Sequence, residues 1–308
     1  MTVSTDAAAE TVLGSSATAP APARATRPFY WSVRRELWEN RSLYMAPLIA
    51  AAVVLFGFVL STIHPPHFRF GPMGLDPAKR MAMVAVPYDI AAIVVILTGV
   101  IVGAFYCLGA LHNERRDRSI LFWKSLPVSD LVTVASKAFV PLVVLPAVVF
   151  VVAIGLQLVM LALGTAVALF HGVAATPVTQ VPLIEMSVVL LYGVFALALW
   201  YAPIWAWLLL VSGFARRAPF LWAVLPPLAI SVIETLAFGT SYVSDLIKYR
   251  TGGFDQAFTV NHQSGFSVGL SNIDIAGFLS TPGLWAGLAV AAAFLAAAVW
   301  QRRYREPT

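Results

Sequence analysis

The chain has 308 residues, 59% of them hydrophobic and 11% charged, with a mean hydropathy of +0.81. An ordinary soluble domain carries about 25% charged residues, so this composition excludes a water-soluble globule and places the chain in the membrane class. The formal net charge of +5 raises nucleic acid as a partner, and the placement of those charges along the chain decides against it.

Residues 1–27 are rich in Ala, Thr, Ser and Pro with almost no large apolar side chains, which predicts a disordered tail. Its acids Asp6 and Glu10 come first and no basic stretch precedes an apolar core, so it does not read as a cleavable signal peptide. A single membrane domain is expected over 28–308. Its first element, FYWSVRRELWENRS, sets Phe29, Val33 and Leu37 at i, i+4 spacing with Arg35 and Glu39 on another side. That pattern predicts an amphipathic helix lying flat in the membrane interface.

A hydrocarbon core of about 30 Å takes about 20 apolar residues in a helix. Six segments satisfy this: 43–63, 88–111, 139–163, 183–211, 220–240 and 282–300. The expected fold class is therefore all-α and polytopic, with six transmembrane helices behind an N-terminal interfacial helix. The third span has a lead-in from Leu131, with Ser129 as its N-cap after Pro127. Cys107 falls inside the second span as a small buried hydrophobe, and one thiol builds neither a disulfide framework nor a cysteine metal site. Pro203 is expected to kink the fourth span, whose Trp200, Tyr201, Trp205 and Trp207 read as an interfacial belt. Pro226–Pro227 is expected to break the fifth. In the outer segment 241–281, Gly252, Gly253, Gly265, Gly269 and Gly277 alternate with Phe254, Phe258, Phe266 and Phe278. That mixture suggests a stretch lying on, or dipping into, the outer leaflet.

With both termini inside, fifteen of the 20 Lys and Arg residues fall on the cytoplasmic side, and only Arg69, Lys79, Arg80, Lys248 and Arg250 fall outside. The positive-inside rule selects this orientation. The positive charge is a topology signal, no nucleic-acid partner is expected, and the chain reads as a multi-pass protein of the inner cell membrane with cytoplasmic termini.

Motifs for catalysis are lacking. There is no GxxxxGK[ST], HExxH or GxSxG, so no catalytic residue and no cofactor or metal bound by this chain is expected. His64 and His67 flank Pro65–Pro66 without a third ligand nearby and read as a solvent-facing turn. Glu234, in LPPLAISVIETLAFGT, is placed at mid-depth, where an Asp costs about 2.5–3.5 kcal/mol on insertion scales. Two readings stand for it: a structural acid paired with a hydroxyl or amide, or a residue of the transport path or its gating.

One island interrupts the apolar pattern. HNERRDRSILFWKSLPVSD, residues 112–130, packs charges and aromatics into the loop after the second span. Six spans, a flat helix before the first, this loop and a longer outer segment before the sixth resemble the permease subunit of type-2 ABC exporters. The local match is NERRDRSILFWKSLPVSDLVTVASK. That family shows an acidic and basic cluster, an apolar turn, a Leu-Pro-Val-Ser-like element and a Lys beginning the next helix. Here those roles fall to Glu114, Arg115 and Arg116, to residues 120–123, to residues 126–129 and to Lys137; Ser119–Ile120 stands where the family often has Gly-Thr.

The resemblance implies an ATP-driven exporter in which an ATP-binding cassette ATPase subunit binds ATP and Mg and carries out the hydrolysis. It also implies a second permease copy or a sister permease, and no enzymatic activity on this chain. The ATPase-coupling surface would comprise Glu114, Arg115, Arg116, Asp117, Ile120, Leu121, Phe122, Trp123, Lys124 and Pro127. Phe122 or Trp123 would be the buried anchor and the arginines the rim. A plain membrane anchor is the competing reading, although anchoring needs neither the acids nor the Leu-Pro-Val-Ser break. For the whole chain the rivals are a stand-alone secondary transporter and a polytopic membrane enzyme. Sparse charges in the spans and no inverted repeat weigh against the first. Against the second, only Glu234 offers a polar group at depth.

Overall fold

The structure, a computed structural model, describes residues 28–63, 77–116, 129–170, 181–252, 270 and 273–304. The 1–27 tail, His64 and His67, and the Gly/Phe stretch 253–269 lie outside them. Every regular element among the described residues is helical. In chain order these are α1 (Pro28–Glu39), α2 (Ser42–Ile63), α3 (Pro77–Ala110), α4 (His112–Arg116) and α5 (Asp130–Phe139). A π-helical turn (Val140–Val144) joins α5 to α6 (Leu145–Phe170). Then follow α7 (Leu183–Trp200), α8 (Ala202–Phe214), α9 (Pro219–Phe238), α10 (Tyr242–Gly252), α11 (Ile275–Ser280) and α12 (Pro282–Tyr304). Six helical stretches are long and apolar enough to cross a membrane, and the chain is an all-α multi-pass membrane protein.

Two spans are longer than expected. α3 begins at Pro77 and runs 34 residues, and the third span is continuous from Asp130 to Phe170, 41 residues or about 60 Å at 1.5 Å per residue. Ser129 is its N-cap, its side chain accepting from the Val132 N–H at 3.3 Å. Pro141 and Pro146 each remove a donor from this helix, and between them the ladder widens to the π turn, with the Leu145 N–H reaching the Val140 carbonyl.

α2, α3 and α6 pack together, α8 lies along α12, and α3 joins the two groups. The main core contains Ala91, Val95, Cys107, Val140, Ala153 and Leu209. Gly99 and Gly103 set the α3–α6 distance: a Cβ on Gly103 would sit 2.8 Å from Leu145, and one on Gly99 would overlap Val149. This is the small-xxx-small approach of membrane helices.

The fourth span divides at Tyr201 into α7 and α8, with Pro203 in the first turn of α8. Trp200 and Trp205 are buried in the bundle, which corrects the expected interfacial belt. The Pro226–Pro227 break is also corrected: α9 runs through both prolines. Pro227 has no N–H for the Ala223 carbonyl, and the Trp207 indole N–H donates to that carbonyl instead at 3.1 Å. α9 keeps little contact with the bundle; among its residues only Ala223 is buried.

Candidate functional site

α1 and the last turn of α12 meet at one end of the bundle, hereafter the termini face. There, four carboxylates and three cations converge from four helices, and a fifth, α3, adds the Tyr106 hydroxyl. Glu36 of α1 is 1% exposed. Its Oε1 accepts from Lys137 Nζ of α5 at 2.8 Å and from Arg35 Nη2 at 3.0 Å, and its Oε2 accepts from the Tyr106 hydroxyl of α3 at 2.9 Å. Glu114 of α4 is 8% exposed. Its Oε1 lies 2.9 Å from Arg35 Nη2 and 3.1 Å from Lys137 Nζ, and its Oε2 lies 2.7 Å from Arg302 Nη1 of α12. Arg302 Nε also reaches Asp130 Oδ1 at 2.9 Å, and Arg35 Nε stands 3.4 Å from the exposed carboxylate of Glu39.

Burial works against the Arg35 guanidinium, but Glu36, Glu39 and Glu114 outweigh it and hold its pKa above the ordinary arginine value. Three cations against four carboxylates leave the cluster nearly balanced, the condition under which charges are tolerated out of water.

Local chemistry fixes α4 in place. The chain breaks at Leu111, and the Ser212 hydroxyl accepts from the N–H groups of Leu111 and His112, each at 2.9 Å. His112 Nδ1 is 3.0 Å from the Ala215 carbonyl oxygen; a carbonyl only accepts, so Nδ1 carries the proton. Arg115 donates to the Gly213 carbonyl. These contacts cap the orphan carbonyls at the end of α8 and lock α4 to it.

Of the loop residues singled out by sequence, the structure brings Glu114 into the cluster, fixes Arg115 on α8 and leaves Arg116 on the surface. Asp117, Ile120, Leu121, Phe122, Trp123, Lys124 and Pro127 lie outside the described residues. The sequence pattern marks Arg35 and Glu39 only as the polar side of α1, and it does not single out Glu36, Tyr106 or Asp130. Lys137 and Arg302 had been read as topology or motif, not as ion-pair partners. One signal was present: Lys137 stands seven residues into an apolar helix, where an ammonium needs a carboxylate.

Glu234 lies apart, at the opposite face, and its expected mid-depth position is corrected. It sits four residues before the end of α9, and its carboxylate caps α10. Oε1 accepts from the Thr240 hydroxyl at 2.8 Å and the Tyr242 N–H at 2.7 Å, and Oε2 accepts from the Val243 N–H at 2.9 Å. Gly239, at φ 64°, ends α9 in the left-handed region and lets the chain reverse. α10 then crosses to the α7–α8 joint. There Arg250 stacks on Trp200 at 4.5 Å and donates to the carbonyls of Trp200 and Gly283. Gly287 leaves the space for that guanidinium, which a Cβ would invade.

No protein-family model, curated protein or solved structure matches this chain. Among the described residues no three His, Cys, Asp or Glu side chains group as metal ligands. The geometry on the termini face is mechanical: every carboxylate in it meets a cation, and together they fasten α1 to the ends of three spans.

Proposed function

We propose that this chain is the membrane-spanning permease subunit of an ATP-driven exporter of the ABC type, with ATP hydrolysed on a separate subunit. In this reading the termini face is cytoplasmic, the membrane is the inner cell membrane, and a second permease copy or sister permease completes the transporter. The observation that carries it is the position of Glu114. It lies just before segment 117–128 and binds cations from α1, α5 and α12 at once. A partner that grips the segment between α4 and α5 thereby acts on both flanking spans, on the interfacial helix and on the last span together. A permease without a phosphate-binding loop needs such a handle. The rivals draw less support, because among the described residues the buried ion pairs gather at one end of the bundle whereas a secondary transporter holds its charged sites near the midplane.

The test is purification of the tagged chain from its native membranes, identification of an ATP-binding cassette subunit by its sequence, and measurement of hydrolysis and transport after reconstitution. Phe122→Ala and Trp123→Ala should weaken that association or uncouple hydrolysis more than Arg118→Ala does, because truncating a buried aromatic commonly costs about 2 kcal/mol or more and a rim charge less. Absence of an ATPase partner, or full binding and coupling in both aromatic variants, would count against the reading.

A further inference from the structure

Two adjacent arginines on α1 have opposite surroundings. Arg35 turns inward to three carboxylates. Arg34 turns outward, with its guanidinium carbon 5.2 Å from the Trp31 ring centroid and 4.7 Å from that of Trp38. Among the described residues Arg34 has ring contacts and no carboxylate or carbonyl partner. Stacking occupies the faces of a guanidinium and leaves its in-plane N–H donors open. Trp31 is 56% exposed and Trp38 68%, on a helix that passes directly through Asn40 and Arg41 into the first span. Tryptophans so placed belong at headgroup level. The remaining ligand for those donors is therefore something found at that depth with several acceptor oxygens.

We infer that Trp31, Arg34 and Trp38 form a binding site for the phosphate of an anionic phospholipid, held in the plane of the guanidinium with the two indoles framing it. Net negative charge is preferred because the Arg34 guanidinium has ring contacts and, among the described residues, no carboxylate counter-ion, and a zwitterionic headgroup brings its own cation along with the phosphate. The inference is independent of the exporter reading. It has a structural corollary: α1 binds lipid on one face and the buried charge cluster on the other, so lipid occupancy bears on the position of Glu36.

The test uses the full chain in bilayers of one fixed mixture of phosphatidylcholine and phosphatidylglycerol, with bromine carried near the headgroup by only one of the two. Subtracting the signal of a Trp31→Phe/Trp38→Phe variant isolates the quenching of these two indoles. Phosphatidylglycerol should be enriched about fivefold over its bulk fraction, the equivalent of about 1 kcal/mol for one basic residue at an anionic surface. Arg34→Gln should abolish the enrichment while Arg216→Gln retains it. Equal quenching per brominated lipid in the wild type would overturn the inference without any variant, and so would enrichment that survives Arg34→Gln.

Discussion

Lys137 Nζ lies between two buried carboxylates, 2.8 Å from Glu36 and 3.1 Å from Glu114. Both carboxylates share Arg35 as their other common cation. Removing Lys137 leaves an excess of buried negative charge, and breaking a buried ion pair from one side typically costs about 3–5 kcal/mol. Lys137→Met should therefore lower the thermal unfolding midpoint sharply in detergent, and adding Glu36→Gln should restore most of it, because the pair leaves together. A second residue-scale prediction concerns Glu234. Glu234→Ala should weaken the cap of α10 and speed hydrogen exchange at the Tyr242 and Val243 amides, whose N–H groups donate to the carboxylate. Unchanged exchange would mean that the cap does not hold α10. The cluster was only partly legible in the sequence. The charges of Lys137 and Arg302 were visible, but their partners lie 101 and 188 residues away, and no local pattern reports such pairings. Glu234 was misplaced for a related reason: its depth was judged from hydropathy, whereas its role is set by a reversal of the chain beyond Gly239.

Proline carried the main error at the level of elements. Local chemistry says that Pro226–Pro227 ends a helix, because two donors are lost and the rings crowd the preceding turn. A membrane span tolerates the loss when a neighbour supplies the donor, and here Trp207 of α8 supplies it to Ala223. The signal for this was tertiary, so it could not be read from the α9 sequence. Ser129, by contrast, was legible because a cap and its acceptor geometry are local. Trp207→Phe should leave the Ala223 carbonyl unsatisfied at a cost of about 1–3 kcal/mol. Pro227→Ala in the same chain returns an N–H to that carbonyl and should recover much of the loss. A double-mutant cycle on unfolding midpoints measures the coupling, and strict additivity would dismiss the compensation.

Across the whole molecule, span number follows from apolar length alone and was legible; which spans touch was not, because lipid-facing and bundle-facing positions on these helices are alike in hydropathy. Sidedness is a prediction of charge. Cysteines introduced at Ser119 and Ala218 should react only with a reagent on the cytoplasmic side, and one at Gly253 only from outside; the reverse pattern would overturn the orientation. The charge cluster then makes a sharper test of the proposed mechanism. Lys137→Met/Glu36→Gln removes one charge of each sign, so the net charge is unchanged, and Glu114 keeps Arg35 and Arg302. If the cluster only holds the fold together, this balanced variant should transport like the wild type. If it carries motion from the 117–128 segment into the spans, the ATPase subunit should still bind and hydrolyse ATP while transport falls. A loss of roughly tenfold corresponds to about 1.4 kcal/mol, within the usual range of coupling free energies between sites. Hydrolysis and transport measured side by side in one reconstituted preparation distinguish the cases. Loss of transport with hydrolysis intact assigns the cluster to transmission, and wild-type transport assigns it to stability alone.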